Sequence, residues 1–78
     1  MFLIVKKYNE ILRDLREDRD LKQKDVAEIL EMKQQQYSNY ERGLRELPLS
    51  HLKTLCAFYN VSADYILGLP KDMPYPER

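Results

Sequence analysis

Cysteine and histidine each occur once among the 78 residues, and glycine twice. A lone Cys56 excludes an internal disulfide and a cysteine-based metal site, which suits a reducing cytoplasm. Cys56 reads as a small apolar residue rather than a redox switch. A lone His51, with no carboxylate or nucleophile partner in the pattern, offers neither a His-paired metal site nor a catalytic constellation; it reads as solvated. Two glycines do not make a Gly-rich phosphate loop. No apolar run approaches the roughly 20 residues a membrane helix needs. The opening FLIV is too short for a signal-peptide core, and its lysines follow it where such a peptide has them first. An excess of one charge sign is also missing, with 13 Lys+Arg against 13 Asp+Glu. Nucleic-acid-binding domains are usually basic, so any electrostatic footprint must be local. Between residues 22 and 45, Lys22, Lys24, Lys33, Arg42 and Arg45 face Asp25, Glu28, Glu31 and Glu41. Enzyme activity, a cofactor and a small-molecule ligand are therefore not expected.

What is present is helical periodicity. Ile11, Leu12 and Leu15 recur at helix spacing between Tyr8 and Arg19. Val26, Ala27, Ile29 and Leu30 do so between Gln23 and Leu30, after a short break at Asp20, Leu21 and Lys22. A third helix is expected from Gln34 to Arg42, closed by Gly43 in the left-handed position. A fourth begins near Pro48, a good first-turn residue, carries Leu52, Leu55, Cys56 and Tyr59 on one face, and ends at Asn60. Ser62 caps a fifth, Ala63 to Leu67, stopped by Gly68 and Pro70. Three of the four prolines fall in residues 70–78, which cannot be helix and read as extended or loose. Val, Ile and Thr are too scattered for a sheet. The expectation is an all-α, compact bundle of about five short helices: an apolar arm over residues 1–7, a domain over 8–68 and a Pro-rich tail over 69–78. The arm reads as a cover folded over the side of the first and fifth helices, or as a dimer contact. No separate effector domain is expected.

The stretch MKQQQYSNYERG, residues 32–43, carries the chemistry. On a wheel of about 100° per residue from Gln34, Tyr37 falls near 300° and Tyr40 near 240°, with Gln36 beside them near 200°. That side reads as inward, with each tyrosine hydroxyl reaching a partner at the edge. Gln34, Ser38, Arg42, Gln35 and Asn39 fall between about 0° and 140°, and Glu41 sits at the margin near 340°. Amides that both donate and accept match adenine N6 and N7 in the major groove, and arginine matches guanine or phosphate. A solvated helix face is the plainer reading of the same residues. Two short helices joined by a tight turn, the second rich in amides, form a helix-turn-helix pattern.

Several motifs together resemble the Cro/repressor-type, or XRE, helix-turn-helix family. They are Leu21-x-Gln23 opening the second helix, Ala27 within it, Tyr40-Glu41-Arg42-Gly43 closing the third, and Asn60-Val61-Ser62-x-Asp64-Tyr65-x-Leu67-Gly68. The resemblance covers about Tyr8 to Gly68 and implies a lambda-repressor-like fold. It further implies a sequence-specific regulator of transcription, most simply a repressor, that reads duplex DNA in the major groove with residues 34–42. Its base-reading positions fall on Gln34, Gln35 and Asn39, with Ser38 able to serve several bases and Gln36 at a position that meets base or phosphate. Its phosphate contact at the start of the second helix falls on Gln23, beside Lys22; Arg42 and Arg45 extend that set. A helix-one arginine that pairs with the family's glutamate falls on Arg16, opposite Glu41, a bridge expected to aim the arginine at a phosphate. A weak homodimer on a two-fold symmetric operator follows from the family's habit. Lys22 departs from the usual Ser, Thr or Asn cap, and Glu31 stands where the turn often has glycine. The rival reading is a helix-turn-helix protein-interaction module, antitoxin-like or an adaptor, in which DNA binding is secondary or absent.

Overall fold

The computed structural model describes residues 7–69. The apolar arm, apart from Lys7, and the Pro-rich tail beyond Leu69 lie outside the described residues. Five helices follow in order: α1 Tyr8–Asp18, α2 Gln23–Ile29, α3 Gln34–Glu41, α4 Leu49–Tyr59 and α5 Ala63–Leu67. The all-α expectation holds for the described residues, with helix ends within about two residues of the periodicity reading. Pro48 is the one shift of role. It is the N-cap of α4 rather than its first turn, because its ψ of 150° is extended while its carbonyl accepts from His51 N and Leu52 N, both at 3.0 Å. No helix among the described residues is long and apolar enough to cross a membrane.

All five helices stop the same way. The residue after the last turn is left-handed in each case: Asp20 (φ 56°), Glu31 (φ 58°), Gly43 (φ 76°), Asn60 (φ 58°) and Gly68 (φ 73°). The next amide then reaches back to a carbonyl five residues earlier. At α2, Met32 N donates to Ala27 O at 2.9 Å and Glu31 N to Glu28 O at 3.1 Å, which satisfies carbonyls the helix itself leaves free. Glycine tolerates this conformation without a Cβ clash, yet three of the five positions carry side chains. Glu31 is the costliest of the three, since Asn and Asp visit the region more readily. At the N-termini, carboxylates substitute for missing caps. Lys22 has no acceptor, but its amide donates to Asp25 Oδ2 at 2.8 Å, and Lys7 N donates to Glu10 Oε1 at 3.1 Å. Ser62 caps conventionally, accepting from Tyr65 N at 3.2 Å.

The core draws from every helix. Leu12, Val26, Tyr37, Leu55, Tyr59 and Ile66 are essentially inaccessible, with Leu15, Ala27, Leu30, Tyr40 and Leu52 around them. Each buried leucine, isoleucine or valine among them contributes about 1.5–3 kcal/mol by leaving water. Tyr37 and Tyr40 meet edge to face, ring centroids 6.4 Å apart. Tyr40 reaches the rim of a surface cleft. The Tyr37 hydroxyl does not find the expected edge partner: it is buried and lacks a hydrogen bond, as does that of Tyr59. Burial first, and then the nearby Glu41 carboxylate, push the Tyr37 pKa up; burial pushes that of Tyr59 up to about 12. Arg19 ties α1 to the end of α4. Its Nη2 donates to Tyr59 O at 2.9 Å, where a cation also suits the helix dipole. Arg13 and Glu17, 3.1 Å apart and exposed, form a solvated pair. His51 and Cys56 are half-buried, so His51 is less solvated than its position suggests, and burial raises the Cys56 thiol pKa.

Candidate nucleic-acid interface

The pair α2 and α3 is joined by residues 30–33, and the left-handed Glu31 turns the chain between them. Packing on α3 runs through Tyr37, Tyr40 and Glu41. These three occupy a wheel arc from about 240° to 340°. Everything outside that arc is free to face outward. Gln34, Gln35 and Gln36 are exposed, and Ser38 and Asn39 are half-buried. Gln36 therefore departs from the inward placement expected of it. At about 200° it lies past the edge of the buried arc, and it lines a shallow cleft with Gln35, Asn39 and Tyr40.

That cleft holds about 430 Å³, and Lys33 and Arg45 also line it. Arg45 is brought there by the loop after α3. Its amide and that of Leu44 both donate to Asn39 O, at 3.3 and 2.9 Å. Three amide side chains and two exposed cations in one cleft make a surface that can donate and accept at base edges and neutralise nearby phosphates. Lys33 was not singled out from the sequence, although it immediately precedes Gln34 as the N-cap of α3. Gln34, Ser38 and Arg42 follow one another along the adjacent ridge of the helix, outside the cleft. Lys22 and Arg42 are exposed at the N-cap of α2 and the C-cap of α3.

The orientation of this face is set behind it, at Glu41. Its side chain is 2% exposed and that of Arg16 is 12% exposed. Arg16 Nε donates to Glu41 Oε2 at 2.7 Å and Nη2 to Oε1 at 3.1 Å, a two-pronged geometry. Arg16 Nη1 donates to Leu21 O at 2.9 Å. With all three guanidinium nitrogens engaged inside the chain, Arg16 is turned inward, not toward a phosphate as the sequence reading had it. Gln23 shares the carboxylate, Nε2 donating to Glu41 Oε1 at 3.1 Å. One amide proton of Gln23 is thus already committed, leaving the second for the phosphate contact assigned to it. Burial alone would raise the Glu41 pKa, but the hydrogen bonds of Arg16 and Gln23, with the Arg16 charge, outweigh it and the net direction is down. The Arg16 pKa is raised chiefly by its bond to Glu41, against the opposing effect of burial. Asn9, absent from the sequence reading, completes the grip by donating to Glu41 O at 3.1 Å. Gly43 is explained by its backbone, at φ 76°; an added Cβ would lie 3.4 Å from Asn9 Nδ2, an ordinary contact.

A family model described as helix-turn-helix matches residues 12–66. The chain belongs to the XRE-type helix-turn-helix family. Among its helix-turn-helix relatives, the uncharacterized HTH-type transcriptional regulator YobD of Bacillus subtilis is 38% identical over 65 residues, covering 83% of this chain and 58% of that protein. The HTH-type transcriptional regulator ImmR of the same organism is 40% identical over 57 residues, covering 73% of this chain and 45% of that protein. The chain thus spans about half the length of the curated relatives it matches. A crystal structure of a transcriptional regulator from Listeria innocua superposes with a TM-score of 0.80 at 22% identity, covering 94% of this chain and 68% of that one. That likeness is one of fold.

Proposed function

We propose that this protein is a sequence-specific duplex-DNA-binding regulator of transcription, acting in the cytoplasm and most simply as a repressor. Residues 8–68 form the DNA-binding unit, and α3 is the helix that enters the major groove. The observation that carries the reading is that Gln35, Gln36 and Asn39 line one surface cleft together with Lys33 and Arg45. Gln34, Gln35 and Asn39 read base edges, Ser38 assists, and Gln36 meets a base or the adjacent phosphate. Lys22, Gln23, Arg42 and Arg45, now joined by Lys33, hold the backbone. Two copies on a two-fold symmetric operator would place two such helices about 34 Å apart, one turn of duplex. The named relatives, both HTH-type transcriptional regulators, support the same function.

The zero net charge of the chain favours a second reading, a protein-interaction module in which DNA binding is subordinate or absent. Titration of the wild-type chain with random duplex over a range of salt separates the two. DNA binding gives an affinity that falls with salt, and Lys22→Ala lowers the slope by about 0.9 for the phosphate it no longer neutralises. A salt-independent or undetectable affinity for duplex selects the interaction module.

A further inference from the structure

A groove separate from the amide cleft is lined by Tyr8, Leu47, Pro48, Leu49, Leu52 and Leu67, with Glu46 at its margin, and holds about 480 Å³. It shares no lining residue with the cleft of Lys33 and Arg45. Beyond Leu49, Leu52 and Leu67 the apolar surface continues past Cys56, Val61 and Ala63 in a second hollow of about 710 Å³. Leu49 is 76% exposed and Leu67 41% exposed. Isolated apolar residues on a surface need no explanation, but a continuous apolar hollow does.

The chain enters the described structure at the edge of this groove. Lys7 is the N-cap of α1. Tyr8, the next residue, lines the groove and is fixed there, its hydroxyl accepting from Leu47 N at 3.0 Å. Immediately before them come Phe2, Leu3, Ile4, Val5 and Lys6. At roughly 3.3–3.6 Å per extended residue, Val5 reaches about 10 Å from Tyr8 and Phe2 about 20 Å.

We propose that residues 2–5 fill the groove between α4 and α5 of their own chain. The tether favours this occupant over the same segment of a second copy. A short linker gives an effective concentration in the millimolar range, which a separate molecule does not reach at ordinary protein concentrations. The proposal is independent of DNA binding.

The test combines a cycle of variants in the full chain with an isotope experiment. The four residues Phe2 to Val5 are changed to serine in one variant, Leu67→Lys alters the groove in another, and a third carries both. Each single variant lowers the urea midpoint, by roughly 0.5 M or more for the arm, and the double variant loses clearly less than the sum. Additive losses, or an arm variant with the wild-type midpoint, overturn the proposal. Should Leu67→Lys fail to fold, Leu49→Lys at the more exposed position takes its place in the cycle. In a mixture of labelled and unlabelled chains, isotope-filtered contacts from Ile4 to Leu52 appear within one chain. Contacts found between chains alone would overturn occupancy by the same chain and assign the groove to a second copy; contacts from Met73 or Tyr75 in place of Ile4 would assign it to the tail.

Discussion

Glu41→Ala removes one partner from a buried ion pair and leaves the other in place. With Glu41 2% exposed and Arg16 12% exposed, water cannot readily replace the lost carboxylate. Arg16 would keep one hydrogen bond, to Leu21 O, while Gln23 would lose its acceptor. Breaking a buried pair in this way costs about 3–5 kcal/mol. A 78-residue chain at about 0.05–0.15 kcal/mol per residue has a total stability of roughly 4–12 kcal/mol. Glu41→Ala should therefore unfold a large fraction of the protein or shift its urea midpoint by more than 1 M, taking a slope of about 1–3 kcal/mol per molar. Glu41→Gln, which retains acceptor oxygen for Arg16 and Gln23, should lose less. Joint replacement Arg16→Met with Glu41→Leu should recover most of the loss, since an apolar pair of similar size needs no desolvation of charge. The pH dependence follows with a defined sign. The folded pKa of Glu41 lies below its ordinary value near 4.5, so its contribution is fully present above that value and is lost as pH falls through the folded pKa. An acid titration of stability should accordingly flatten in Glu41→Gln. A urea midpoint for Glu41→Ala within experimental error of wild type would refute the view that this bridge sets the position of α3.

Two further outcomes follow from the backbone and the core. Glu31→Gly relieves a side chain held at φ 58° and should raise stability by up to about 1 kcal/mol after the greater chain entropy of glycine is set against it; a lower urea midpoint would mean that the Glu31 side chain makes a contact worth more than the strain. Tyr59→Phe removes a buried hydroxyl without a hydrogen bond and should leave stability unchanged or raise it by about 1 kcal/mol. Because the Tyr59 pKa is pushed up to about 12, the wild type should lose stability as pH rises from about 10 to 12, and the phenylalanine variant should lose less over that window, as followed by ellipticity.

The parts of this molecule legible in the sequence are those written by period and punctuation. Leu12 and Leu15, Val26 and Ala27, and Leu52, Leu55 and Tyr59 mark their helices because burial repeats every three or four residues. Gly43 and Gly68 mark ends because a left-handed residue is needed there. Asp20 and Glu31 occupy the same conformation without glycine, and their turns were legible only as breaks between periodic segments. The amide face of α3 was visible on a wheel, but its limits were not. Whether about 200° is inside or outside depends on how many neighbours flank the helix, and here Tyr37, Tyr40 and Glu41 are enough, which frees Gln36. The inward turn of Arg16, the sharing of Glu41 by Gln23, and the grip of Asn9 join residues 18 to 32 positions apart. No local pattern records such contacts. The motif resemblance pointed to the Arg16–Glu41 pair but not to the direction in which the guanidinium faces.

The central claim is that α3 reads sequence through its amides. Its most direct measurement begins with selection of a preferred site from random duplexes. Wild type and Gln35→Ala are then titrated against that site and a scrambled duplex at matched salt. The account predicts that Gln35→Ala loses roughly 1–3 kcal/mol on the selected site, relaxes preference at one position of each half-site, and binds the scrambled duplex as wild type does. Equal losses on both duplexes, or no loss on either, would contradict it and leave the glutamine row as a solvated surface.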